Sequence, residues 1–481
     1  MGGGHVMRCV TLAAVLHHQE WVIKLASTPE TMRVVEGLLP EWLGHLHIHG
    51  EDEADPQALK NTRSDGCQVL IVDHYGLDAG YEKELKGWAE KIVVIDDLAN
   101  RPHDCDVLID QTPFRTPHIY KSLVPSRCTA LCGADYALLR PQFAQLRFST
   151  VRVPEDHFPP RRIAVFMGMG DQNCLSAKAL EGIAESGLNA EVKVFLGAHS
   201  PARAPVEDFA RNHSNVDVRI NDQNISNHLA WADLAIGTAG TAAWERCCLA
   251  LPTITMTITD PHNDNQRETA KVLGEKGAAL ILGEGIKVQV SDIASSIRKF
   301  ISNRDEYEAM SAAAAGICDG LGASRTAMYL APYLCRDGAA LTLRRLVLED
   351  SDAVYRWQTT PDVRKYFRDP NPPSPERHSG WMAERVASMS AVTEIILRNG
   401  QAAGMIRLDP LAEGGFEVSI LVSPDFQGGG VGTGALMLAR QLIPFADFKA
   451  YVDPRNAASL TAFSRAGYFR QGEWLINKGA S

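Results

Sequence analysis

The sequence predicts an α/β protein made of two parallel-sheet units followed by a smaller α+β unit. Three observations lead there. In the first third, short runs of Val, Ile and Leu end in acids. In the middle third, two glycine loops each join a strand to a helix. Near residue 340 the pattern restarts with strands that pair ahead of a single glycine-rich loop. Continuous β-branched runs indicate strands buried on both faces, as in a parallel sheet. Acids at their C-terminal ends mark the sheet edge where α/β proteins bind ligands.

The elements follow in order. Residues 2–9 read Gly-Gly-Gly-His-Val-Met-Arg-Cys, and Val10, Leu12, Ala13, Val15 and Leu16 follow. This is a flexible loop opening an amphipathic helix. The positive end of a helix attracts anions and disfavours an imidazolium, so His5 is a candidate base near neutral pH. Such a loop normally follows a buried strand, and here none precedes it. Within a first domain, residues 1–150, strands are expected at Cys67–Asp73, Lys91–Asp97 and Asp106–Asp110. Residues 148–160, rich in proline and polar side chains, read as a linker. A second domain, residues 160–335, opens with a strand at Arg162–Met167, the loop Gly168-Met-Gly170-Asp171 and a helix from Asn173 to Ala184. Strands follow at Glu191–Leu196, Val216–Ile220, Asp233–Gly237 and Pro252–Met256, with the loop Thr238-Ala-Gly240-Thr241 before a further helix. In a third domain, residues 340–481, a strand from Leu341 and a helix through Trp357 precede paired strands, Thr393–Leu397 and Gly404–Leu408. Phe416–Val422 then runs into Gln427-Gly-Gly-Gly-Val-Gly-Thr-Gly434 and a long apolar helix.

The 481 residues are 45% apolar and 22% charged, the balance of a soluble enzyme. A formal net charge of −10 gives no general attraction to nucleic acid or to an anionic membrane. The ten cysteines form no paired CxxC units, which suits free thiols in a reducing cytoplasm. No signal-peptide pattern and no uninterrupted apolar stretch of ~20 residues is present, so the expected location is cytoplasmic. His45-Leu-His-Ile-His49 alternates like a strand but lacks acidic or cysteine partners, so no metal is expected.

The middle domain carries nucleotide signals. Glycines at 168, 170 and 240, with Thr241, let backbone amides approach a phosphate. Glu245, one turn into the next helix, suits ribose hydroxyls, and Asn265 and Gln266 follow the next strand. Tight strand–helix packing needs the same glycines. Gly4-His-Val-Met-Arg-Cys-Val-Thr-Leu-Ala13, Val72-Asp-His-Tyr-Gly-Leu-Asp78, Ile95-Asp-Asp-Leu-Ala-Asn-Arg101, Asp106-Val-Leu-Ile-Asp110 and Gly133-Ala-Asp-Tyr-Ala-Leu-Leu-Arg-Pro-Gln-Phe143 resemble, in order, the nucleotide-sugar hydrolases of pseudaminic acid biosynthesis. Ala232 to Glu245 is similar to the wider glycosyltransferase-B superfamily. The resemblance covers about 335 residues. It implies two Rossmann-like domains in a glycosyltransferase-B arrangement and metal-independent release of UDP from UDP-2,4-diacetamido-2,4,6-trideoxy-β-L-altropyranose. His5 matches the family's catalytic histidine, which activates or orients water. Tyr75 matches a tyrosine near the sugar, with Asp73 beside it. Family members begin with a strand and an acidic loop. This sequence starts inside the loop, so the expectation is either an upstream start or a domain without its first central strand, with exposed sheet edges and little hydrolysis until extended.

The third domain resembles the GNAT acetyltransferases. Gln427-Gly-Gly-Gly-Val-Gly432 fits their Q/R-x-x-G-x-G/A element, in which backbone amides hold a pyrophosphate. The resemblance implies acetyl-CoA as co-substrate, held by Gln427, Gly428, Gly430, Val431, Gly432 and Thr433. The amides of Leu421 and Val422 would polarise the thioester, and Asn456, Ser459 and Phe463 would close the site. Glu417 fits a general base acting through water. Many relatives carry a tyrosine acid where Phe463 stands, so the leaving thiolate needs another proton source, such as water. Trp357, His378 and Trp381 resemble acceptor-pocket residues of a related amino-sugar acetyltransferase. Together the resemblances imply a bifunctional enzyme: N-acetylation of a 4-amino UDP-sugar, then removal of its UDP, with other enzymes of nonulosonic acid synthesis as possible partners. Two alternatives stand beside it. One is a related nucleotide sugar with another acyl group, and the other is a degenerate half that serves only for binding.

Overall fold

The structure is a computed structural model that describes residues 3–34, 39–48, 55–113, 115–149, 157–258 and 265–479. Gly2, His49 and residues 150–156 of the expected linker lie outside the described residues. The chain divides into two compact units, Met1–Ala323 and Ser324–Ser481.

The first unit opens with the helix Gly3–His17, as the apolar periodicity predicts. Val6, Val10 and Ala13 on its buried face pack with Leu43. Two short parallel strands follow, β1 (Lys24–Ser27) and β2 (Gly44–His47). A separate four-stranded parallel sheet runs in the order β3 (Cys67–Val72), β4 (Ala89–Ile95), β5 (Val107–Asp110) and β6 (Thr129–Cys132). Among the described residues no ladder joins β1 to β3, so the sheet is interrupted there. The interruption shows in the packing: most of β3 is only half-buried, whereas Ile92–Ile95 of β4 are fully buried.

The second sheet of this unit is a six-stranded parallel layer. It comprises β7 (Arg162–Phe166), β8 (Glu191–Leu196), β9 (Val216–Ile220), β10 (Leu234–Thr238), β11 (Thr253–Thr257) and β12 (Leu280–Glu284), in the order β12-β11-β10-β7-β8-β9. Strand order reverses beside β7, so the loops after β7 and β10 open at a switch point. Asp233 anchors the start of this layer. It accepts from the amides of Arg161 and Arg162, the Arg162 guanidinium and His157. Burial works against its charge, but these donors outweigh it and bring the carboxyl down to about 2. The two α/β segments expected from the sequence are packed into one unit. Ala134, Ala137, Leu139 and Phe143, ahead of the expected boundary at 150, share a core with Trp244, Leu251 and Ala314 of the following segment. Arg147 ties the helix Pro141–Ser149 to the carbonyls of Cys248, Ala315 and Cys318.

The second unit is α+β. Its mixed sheet runs β13 (Tyr333–Leu334), β14 (Ala340–Arg345), β15 (Val392–Arg398), β16 (Gln401–Pro410), β17 (Phe416–Val422), β18 (Phe448–Tyr451), then β20 (Trp474–Asn477) and β19 (Phe469–Gln471). All pairs are antiparallel except β17–β18. Behind the sheet lies a fully buried ion pair, Arg325 Nη2 to Glu394 Oε1 at 2.6 Å. No helix among the described residues is long and apolar enough to cross a membrane.

Candidate active sites

The first site forms where the helix Gly3–His17 meets the C-terminal ends of β3 and β4. His5 Nδ1 lies 2.7 Å from Asp73 Oδ1, just past β3. Donation of Nδ1–H to the carboxylate leaves Nε2 as the accepting nitrogen. The Tyr75 ring meets the imidazole edge-on, with centroids 4.6 Å apart. Burial, then the neighbouring Asp97, push the Tyr75 phenol above its ordinary range. His5, Asp73 and Tyr75, expected together, are together.

Two residues missed as sequence candidates organise the cluster. Arg8 is buried and grips Asp73 with two nitrogens, Nε to Oδ2 at 2.6 Å and Nη2 to Oδ1 at 2.5 Å. Its Nη1 reaches Asp97 Oδ2 at 2.9 Å. Burial opposes the Asp73 charge, yet the bonds from Arg8 and His5 bring that carboxyl down to about 2. The signal for Arg8 was its place three residues after His5, on the same helical face. Asp97 was half of an acidic pair whose members work separately. Asp96 turns inward and takes Arg101 Nη1 at 2.8 Å. Arg101 in turn donates to the carbonyls of His74 and Leu77, which clamps the loop that carries Tyr75.

The facing segment closes on this cluster. A side chain on Gly4 would come within 3.7 Å of the Thr241 hydroxyl. Asn265 Nδ2 donates to the Asp97 carbonyl at 2.9 Å. Gln266 accepts from the Ile258 amide at 3.0 Å and lies beside Gly240. Glu245 is mostly buried, 3.6 Å from Arg140, and burial pushes its carboxyl up. The other glycine loop departs from expectation. Gly168, at φ +91°, turns the chain after β7. The helix end that follows is no anion cradle, because buried Asp171 accepts from the amides of Leu175 and Ser176, and its charge would repel a phosphate. Gly170 is exposed at the tip of that loop. Among the described residues, no group of three His, Cys, Asp or Glu side chains is arranged to hold a metal.

The second site is made mainly of backbone. β17 and β18 run parallel but pair only at Phe416–Phe448 and Glu417–Lys449. Beyond that they splay, and Leu421 and Val422 lie on the splayed end of β17. The loop after β17 ends at Gly430, φ +92°, which caps the helix Val431–Leu442 without a side chain. Gly428 is also left-handed, at φ +82°. Gln427 and Gly428 are exposed, and Gly432 and Thr433 half-buried, at this helix start; Val431 points into the core. Asn456 caps the helix Ala457–Arg465 by accepting from the Ser459 amide at 3.0 Å.

Glu417 Oε1 accepts from Arg368 Nη2 at 2.7 Å. Phe463 is buried against the Tyr468 ring, with centroids 4.9 Å apart. The expected acceptor-pocket residues are held in packing. His378 is buried, its Nε2 2.9 Å from the Ser351 carbonyl and its Nδ1 2.6 Å from Gln358 Nε2. Both ring nitrogens are engaged, so this histidine pins the helix Pro375–Ala387 to the helix Ser351–Thr359 rather than offering a nitrogen to a ligand. Trp357 is buried in the same core, and Trp381 packs against it half-exposed.

Comparison with known proteins agrees with this division. Residues 163–322 match the glycosyltransferase family 28 C-terminal domain, and residues 340–468 match the acetyltransferase (GNAT) domain. The chain is 25% identical to the UDP-2,4-diacetamido-2,4,6-trideoxy-beta-L-altropyranose hydrolase of Campylobacter jejuni, over 58% of this chain and 93% of that protein. It is 21% identical to the uncharacterized protein MJ1062 of Methanocaldococcus jannaschii, over 99% of this chain and 96% of that protein. A crystal structure of MurG from Acinetobacter baumannii covers 68% of this chain and 96% of its own at 16% identity, with a TM-score of 0.47. The chain joins an α/β region that matches the glycosyltransferase family 28 C-terminal domain and is similar to a nucleotide-sugar hydrolase, to a C-terminal GNAT acetyltransferase domain.

Proposed function

We propose that the chain is a bifunctional nucleotide-sugar enzyme of nonulosonic acid synthesis, which N-acetylates a 4-amino UDP-sugar and then hydrolyses UDP from the diacetamido product. The observation that carries the hydrolytic half is the convergence of His5, Asp73 and Tyr75 with Thr241 and Asn265 from the facing segment. Water attacks the anomeric carbon while the bond from that carbon to the diphosphate oxygen breaks. His5 Nε2 takes the water proton, and Asp73 holds the opposite nitrogen and stabilises the imidazolium that forms. Tyr75 lines the sugar end. Thr241, Gly240, Asn265, Gln266 and Glu245 surround the nucleotide, and UDP departs with its own charge, so no metal is required.

In the acyltransferase half, the splayed end of β17 and the helix start at Gly430, which no side chain caps, fit an acyl-CoA. Acetyl-CoA supplies the acyl group when bound. Amides at Gly428–Thr433 bind its diphosphate, and the amides of Leu421 and Val422 aim at the carbonyl oxygen. Glu417 takes one proton from the sugar ammonium through water, and the freed amine nitrogen bonds to the thioester carbon as the carbon–sulfur bond breaks. Asn456, Ser459 and Phe463 border the departing thiolate, which receives the second amine proton through water. Trp381 is the acceptor-side residue with surface to spare. The two reactions are consecutive, since the N-acetylated product of one site is the substrate of the other.

The test is direct. The full chain is given UDP-2,4-diacetamido-2,4,6-trideoxy-β-L-altropyranose for UDP release, and its 4-amino precursor with acetyl-CoA for thiol release. Both products are expected. Absence of UDP rejects the hydrolytic half, and absence of thiol rejects the acyltransferase half.

A further inference from the structure

Backbone forms the coenzyme side of the second site, but beside Glu417 the same sheet presents an open face of side chains. Glu417 lies opposite Lys449 on β18, and Tyr451, two residues on, lies opposite Trp474 on β20. Alternation puts these four on one face of the sheet. Phe416, Phe448, Ala450 and Leu475, on the other face, are buried, whereas Tyr451 is 45% exposed. The Tyr451 and Trp474 rings meet edge-on, with centroids 6.3 Å apart, and form an aromatic corner.

This corner already holds a cation. Arg368 reaches it from the segment between the helices Pro361–Arg364 and Pro375–Ala387. Its Nη2 donates to Glu417 Oε1 at 2.7 Å, and its Cζ stands 5.5 Å from the Tyr451 ring centre and 6.0 Å from that of Trp474. A carboxylate and two aromatic faces around one point make a seat for any organic cation, an ammonium included. The guanidinium in that seat is weakly held. Its side chain is 63% exposed, and an ion pair so open to water contributes little. The neighbouring charges are committed elsewhere. Asp409, opposite Glu417 on β16, pairs with Arg385 and Arg407, and Lys449, 4.5 Å from the Trp474 ring, pairs with Glu413.

We propose that Glu417, Tyr451 and Trp474 form a subsite for a primary ammonium, and that Arg368 is its resident cation, displaced by the incoming acceptor. The inference deepens the acyltransferase reading and rests on it for its use. The acceptor's ammonium, with the water that relays its proton, takes the place of the guanidinium, so one cation is exchanged for another. A neutral hydroxyl makes no such exchange, which selects for an amine. A resident that fills the subsite part of the time raises the apparent Kd for the acceptor in proportion.

The experiment follows the indole N–H of Trp474 by NMR in the full chain, assigned by its loss in Trp474→Phe. The probe is cyclohexylammonium chloride at constant ionic strength, with cyclohexanol as the neutral control. The signal is expected to move saturably with the ammonium and not with the alcohol. Arg368→Met should lower the apparent Kd about threefold or more. Lys449→Met removes the same charge from beside the same ring but frees no carboxylate of the seat, and should change the Kd less. An unmoved Trp474 signal, an unchanged or raised Kd in Arg368→Met, or an equal gain in Lys449→Met overturns the proposal. Thiol release from acetyl-CoA with the 4-amino UDP-sugar is measured in parallel. Ammonium binding as expected with no thiol release defeats the acyltransferase reading and leaves the subsite intact. Thiol release with an unmoved Trp474 signal does the reverse.

Discussion

The two sites differ in what they are made of. The first candidate site is built of side chains joined in one part-buried network: His5, Arg8, Asp73, Tyr75 and Asp97. The second is built of backbone, where two strands part after two pairs and a glycine in left-handed conformation opens a helix. A network of side chains fails when one atom is removed. A backbone cradle ignores most side-chain losses and fails when a Cβ is added.

That contrast can be broken in order of expected effect. His5→Asn should lower UDP release on the order of 10²–10⁴-fold and leave acyl transfer unchanged, as measured by parallel UDP and thiol assays. Gly430→Val should raise the KM for acetyl-CoA about tenfold or more, with UDP release unchanged. A β-branched residue at φ +92° is strained by at least ~1–2 kcal/mol, and the cost falls on the start of the helix. Gln427→Ala or Thr433→Ala should change that KM less than about threefold, because the binding groups there are amides. A large loss in either would show that the second site depends on side chains after all.

A smaller effect concerns pH. Asp73 and Asp233 sit at about 2 in the fold against an ordinary 3.8. A depressed carboxyl contributes stability that is fully present above its unfolded value and lost as protons bind. Thermal stability of the first unit should therefore hold down to about pH 4 and fall as pH drops toward 2. Asp233→Asn should be less stable at pH 7 and show a shallower acid decline, read by calorimetry.

The same contrast explains what could be read from sequence. Strands such as Cys67–Val72, Glu191–Leu196 and Phe416–Val422 were legible, because β-branched runs of five to seven residues carry their own signal. Lys24–Ser27, Phe448–Tyr451 and Phe469–Gln471 were not, being three or four residues long and defined by their neighbours. The glycine loop at 427–434 was legible for a physical reason: positive φ demands glycine, and the demand is written in the composition. In the first site, family resemblance marked His5, Asp73 and Tyr75. The same motifs contain Arg8 and Asp97 but do not single them out, because a contact across 65 or 89 residues leaves no periodic trace. His378 shows the opposite case, a residue that spacing marks and the fold uses in packing. Its spacing from Trp381 suggested a pocket, but Gln358 and Ser351 consume both nitrogens. At the glycine loop 168–170, likewise, composition does not tell that Asp171 fills the helix end behind it.

The most direct test of two separable sites in one chain is a single paired assay. Wild type, His5→Asn and Gly430→Val are each supplied with the diacetamido UDP-sugar, and separately with its 4-amino precursor and acetyl-CoA, and UDP and free thiol are quantified. The expected result is that wild type yields both products, His5→Asn loses only UDP, and Gly430→Val loses thiol release at limiting acetyl-CoA while keeping UDP. Loss of both products in either folded variant, or of neither in both, would contradict it.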